Sequence, residues 1–107
     1  MAQTLIVLPM EMAPRLPGIL VAAGIYIARD RATPRFRQLT CARGRGRVTV
    51  TYITSPEWLQ RLDPTLPATA LVVGVQRSGW RFWRRWDDRE LLARVVALLA
   101  PHAVYDL

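Results

Sequence analysis

The sequence predicts a single α+β domain: an antiparallel sheet of four or five strands with two apolar helices packed on one face. Three observations carry that expectation. Val48–Thr54 (VTVTYIT) is β-branched and alternates apolar with polar side chains, the period of a half-buried strand. Two basic turns containing glycine, Arg43-Gly44-Arg45-Gly46-Arg47 and Arg77-Ser78-Gly79, each separate strand-like runs, which is how hairpins, and so antiparallel pairs, are written. From Asp87 onward Leu91, Leu92, Val95, Val96, Leu98 and Leu99 recur at helical spacing as one broad apolar face, with Arg89 and Arg94 away from it. At 107 residues, 51% of them hydrophobic, residues 1–107 are expected to form one domain with its own core.

Taken in order, Thr4–Leu8 (TLIVL) is a short apolar run stopped by Pro9 and reads as a buried strand. Pro14 and Pro17 then break the chain. Gly18–Arg29 mixes helix-favouring Ala22, Ala23 and Ala28 with strand-favouring Ile25, Tyr26 and Ile27. A buried helix is the preferred reading; as a strand, the segment would be a central member of the sheet. Phe36–Ala42 and Val48–Thr54 form the first hairpin, with three arginines in its loop. Ser55-Pro56-Glu57 opens a short helix: a serine cap, a proline in the first turn and an acid at the positive dipole end. Trp58, Leu59 and Leu62 are its expected buried side. Leu71–Gln76 is a strand in which Gly74 signals a bulge or a close approach. Trp80–Arg85 would pair back onto it. Asp87 and Glu90 have capping-box spacing at the start of the last helix. Val104–Leu107 could add a terminal strand.

The charge is lopsided. Fifteen basic residues stand against eight acids, a net +7. Residues 29–54 alone, with seven arginines and Asp30, carry +6 of it. Such a stretch favours an anionic partner, nucleic acid or an acidic protein surface. Every basic residue is arginine, and there is neither lysine nor asparagine. A GC-rich coding sequence produces that bias without selection for a ligand, so the positions of the arginines are informative and their chemical type is not.

The second notable stretch is Gly79-Trp80-Arg81-Phe82-Trp83-Arg84-Arg85-Trp86. In an extended conformation it would present Arg81, Trp83 and Arg85 on one face, a ring for base stacking between two phosphate contacts. The candidate nucleic-acid-binding residues are therefore Arg35, Arg37, Arg43, Arg45, Arg47, Arg81, Trp83, Arg84 and Arg85.

Several function classes lack support. Cys41 and His102 are the sole cysteine and histidine, which leaves no disulfide and no zinc set. The lone thiol suits a reducing, cytoplasmic compartment. No phosphate-binding glycine loop is present, and no cofactor, metal or catalytic set is expected. The only carboxylate cluster, Asp87, Asp88 and Glu90, already has a structural reason at a helix start. Gly24-Ile25-Tyr26 resembles the opening of the GIY-YIG nuclease motif over three residues, but the second half of that motif does not follow within a dozen, and no family is assigned. Leu16–Ala28 is thirteen residues without charge, short of the roughly 20 a membrane helix needs. No basic residue precedes the first apolar run, so a secretory leader is not expected. The leading expectation is a small basic, non-enzymatic nucleic-acid-binding protein, contacting phosphates through arginines with tryptophan stacking. The alternative is a protein-interaction module, an inhibitor or assembly factor, on an acidic partner surface. A small nuclease or toxin comes third.

Overall fold

The computed structural model describes residues 4–62, 64–65, 69–78 and 85–103, with backbone alone at positions 56, 62, 85 and 86. Five strands, β1 (Thr4–Pro9), β2 (Tyr26–Ala32), β3 (Phe36–Arg43), β4 (Gly46–Ile53) and β5 (Ala70–Arg77), form one antiparallel sheet in the order β1-β5-β4-β3-β2. There are three α-helices among the described residues, α1 (Leu16–Ala22), α2 (Pro56–Leu62) and α3 (Arg85–Leu99); one 3-10 segment, Met10–Arg15, leads into α1 and another, Ala100–His102, follows α3.

Strand alternation divides the sheet into two unlike faces. Ile6 and Leu8, Leu71, Val73 and Val75, Val48, Val50 and Tyr52, and Leu39 and Cys41 share one face. They pack in one cluster with Met12, Leu16, Leu20 and Ile25 and with Leu91, Val95 and Leu99 of α3. Burial of these aliphatic side chains, about 1.5–3 kcal/mol each, is the main force holding the helices to the sheet. The expected pair of apolar helices on one face is thus α1 and α3. On the other face a second, smaller cluster forms, where Leu59 of α2 packs on Val7 and Ala70 beside Ile53 and Val72.

The segment 18–29 is neither a full helix nor a central strand. Its first part ends α1, and its last part begins β2 at the edge of the sheet. The break is a Schellman closure. Gly24, at φ +80°, donates its N–H to the Val21 carbonyl, and Ile25 donates to Leu20. Ile25 and Leu20 then meet in the core. A glycine supplies that left-handed backbone without steric penalty, and the β-branched residues after it are released into a strand.

Three smaller expectations also change. Gly74 sits in an unbroken register opposite Leu5 and Thr51, so it makes no bulge; the sheet's irregularity falls between Ile27 and Arg29. The last helix begins at Arg85, two residues before the predicted cap, so Asp87 lies inside the first turn and Arg85 is not in a strand. Trp58 is half-buried, not core, whereas Leu59 is fully buried. The predicted second arm over positions 80–84, the terminal strand from 104 and the side chain of Leu62 lie outside the described residues. Among those residues, no helix is long and apolar enough to cross a membrane.

Candidate nucleic-acid interface

The basic stretch folds into the β2–β3–β4 meander, and each turn of it has a local cause. Between β2 and β3, Pro34 occupies the second position of the turn, where its fixed φ is favoured. Thr33 closes it: its Oγ1 accepts from the N–H groups of Arg35 (3.3 Å) and Phe36 (3.1 Å). Between β3 and β4 the loop is only Gly44-Arg45, because Arg43 already pairs with Gly46. Gly44 has φ +58° and Arg45 does not go positive, the pattern of a type II′ turn. The expected three-arginine loop is therefore a two-residue tip, with Arg43 and Arg47 on the strands beside it.

β2 is the exposed edge of this meander. The irregularity at Ala28 resets its alternation, so Tyr26, Arg29 and Arg31 all register with polar-face residues of β3: Ala42, Thr40 and Gln38. Those rows continue across β4 to Arg47, Thr49 and Thr51. Tyr26 is 70% exposed, and Arg29 and Arg31 are exposed. These three were absent from the sequence-based set. The expected helix through position 29 covers Tyr26 and Arg29, and Gly24 is the signal that it ends earlier.

The nine predicted residues do not form one patch. Arg37 lies on the helix-covered face in a bidentate pair with Asp30, Nε to Oδ1 at 2.9 Å and Nη2 to Oδ2 at 2.5 Å. The Arg37 guanidinium holds the Asp30 carboxyl below the usual carboxylate range, and the Asp30 carboxylate raises Arg37 further. Burial pushes the neighbouring Tyr52 hydroxyl up, with Arg37 opposing the shift. Arg47 turns back on its own hairpin, its Nη1 donating to the carbonyls of Gly44 (2.9 Å) and Gly46 (2.8 Å). Arg35, at the far turn, stacks its guanidinium 4.5 Å above the Trp58 ring. With Ser55, Glu57 and Arg61 this pair lines a shallow cleft of about 130 Å³. Arg43 beside the tip and Arg45 within it, with Gly44, Asp87, Glu90, Leu91 and Arg94, line a cleft of about 310 Å³ against α3. Arg81, Trp83 and Arg84 lie outside the described residues, as does the side chain of Arg85.

Among the described residues the one ion pair is Arg37–Asp30. The exposed guanidiniums of Arg29, Arg31, Arg43 and Arg45 therefore make no ion pair with a described carboxylate. Cys41 is buried in β3 and His102 is exposed beyond α3, and among the described residues no three acidic, histidine or cysteine side chains gather in a metal-binding group.

No known family model matches this chain, and neither a curated protein nor a solved structure matches it.

Proposed function

We propose that the chain is a small, non-enzymatic nucleic-acid-binding protein of the cytoplasm that holds its ligand by arginine–phosphate contacts along the β2–β3–β4 meander. The observation that carries this reading is the set of unpaired guanidiniums on one meander: Arg29 and Arg31 on its free edge, Arg43 and Arg45 at its tip. An exposed arginine fork matches phosphate bidentately. Tyr26 on the edge adds an exposed ring on which a base can stack, a contact worth about 1–3 kcal/mol per base. Trp83 with Arg81 and Arg84 completes the proposed set. Binding of this kind is tolerant of sequence and falls steeply with salt. The test is fluorescence anisotropy with a labelled oligonucleotide: the reading expects binding at low salt that weakens as salt rises, and absence of binding at low salt refutes it.

The second reading, docking on an acidic protein, draws on the same charges and on the outer edge of β2, where the sheet ends. A pull-down that survives nuclease treatment and returns one stoichiometric protein would favour it.

A further inference from the structure

The cleft beside the hairpin tip has a mixed lining that phosphate binding alone does not require. Three arginines (Arg43, Arg45, Arg94) and two acids (Asp87, Glu90) line it together, with Leu91 as the apolar part of the wall. Positions 87, 90, 91 and 94 fall on one side of α3 by helical spacing. The tip is seated closely on that side: a Cβ on Gly46 would stand 2.6 Å from the Asp87 carbonyl oxygen and 3.1 Å from Leu91 Cβ. Among the described residues none of these guanidiniums and carboxylates pairs with another. Opposite charges line one cleft of about 310 Å³, within the size range of small-ligand sites, without forming an ion pair.

Resting on the nucleic-acid reading above, we infer that this cleft receives one base of the bound strand and selects guanine. An ionised carboxylate only accepts hydrogen bonds. Guanine alone presents two adjacent donors, the ring N1–H and the exocyclic amino group, which one carboxylate of Glu90 or Asp87 takes together. Adenine and cytosine set their amino group beside an unprotonated ring nitrogen, which repels a carboxylate. Uracil and thymine set their single N–H between two carbonyls. Arg43, Arg45 and Arg94 take the phosphates flanking the base. A site for phosphate alone gains nothing from the two carboxylates, and a site for a cation gains nothing from the three arginines.

The test is anisotropy on the full chain with labelled decauridine and with decauridines carrying one central guanosine, adenosine or cytidine. The expected result is about tenfold tighter binding of the guanosine oligomer, the size of one well-formed bidentate contact. The double substitution Glu90→Gln with Asp87→Asn, confirmed folded by circular dichroism, should erase that preference while leaving decauridine binding equal or tighter. Guanosine monophosphate should compete weakly, since it lacks the strand's other phosphate contacts. Equal binding of all four oligomers, or a preference that survives both substitutions, overturns the inference and leaves the broader reading standing. Competition by the mononucleotide as strong as by the oligomer overturns the assignment to a strand. Failure of every oligomer to bind overturns both.

Discussion

The Asp88 carboxylate in the first turn of α3 accepts the backbone N–H of Arg47 at 2.8 Å. It is the one charged side chain in the buried set, 4% exposed among the described residues. Forty-one positions separate the two, so this bond ties the last helix to the first strand after the arginine tip. Asp88→Ala leaves a part-buried N–H without its acceptor and should cost about 1–3 kcal/mol. Asp88→Asn keeps a carbonyl oxygen at that place and should cost less. Urea unfolding of both variants measures the difference.

The two glycines of the tip should respond differently to alanine. At Gly46 the added methyl meets backbone and a packed side chain, and the helix must shift, at about 1–3 kcal/mol. At Gly44 the surrounding space is open, but φ is +58°, so the cost is the intrinsic 1–2 kcal/mol or so of a left-handed L-residue. Gly46→Ala should also alter the cleft against α3, visible as shifted amide resonances at positions 87–94; Gly44→Ala should leave those resonances in place.

How far the sequence specified this molecule depends on which force decided each element. β4, β3 and α3 are governed by burial of one face, and the two-residue and helical periods state that directly. Val48, Val50 and Tyr52 point inward, as do Leu91, Val95 and Leu99. The segment after Leu16 was ambiguous because local propensities conflict there and a backbone motif, the closure at Gly24, settles it. Which arginines are free was not legible at all. Asp30 selects Arg37 only because β2 and β3 register as they do, and the backbone carbonyls of the tip hold Arg47. Likewise Asp87 and Glu90, which resembled a capping pair, line a cleft, and Asp88 between them is the acid that braces the helix.

Cys41 should be inert in the native protein. It is fully buried in β3, and desolvation pushes its thiol up to about 11. At pH 8 that leaves on the order of one thiolate in a thousand, and thiolate is the reactive form. Ellman's reagent should label it slowly in buffer and rapidly in denaturant. Fast native labelling would show that β3 opens readily.

The Asp30–Arg37 pair should matter little to stability. Its carboxyl is lowered in the folded state, so its contribution is complete above the unfolded value of about 3.9 and disappears as pH falls through the lower folded value. The side chains are 30% and 41% exposed for Arg37 and Asp30, and solvent screening keeps the pair below about 1 kcal/mol. Asp30→Asn should shift the urea midpoint slightly at pH 7, and that difference should vanish near pH 2.

The distinction between free and engaged arginines is most directly tested by the salt dependence of oligonucleotide binding. Each phosphate contact contributes about 0.7 to the slope of log affinity against log salt for a single strand. Replacing Arg43 and Arg45 together by glutamine should lower the slope by about 1.4, and replacing Arg29 and Arg31 should do the same. Arg37→Gln should leave it unchanged. A slope indifferent to the four free arginines, or as sensitive to Arg37 as to them, would contradict the proposed interface.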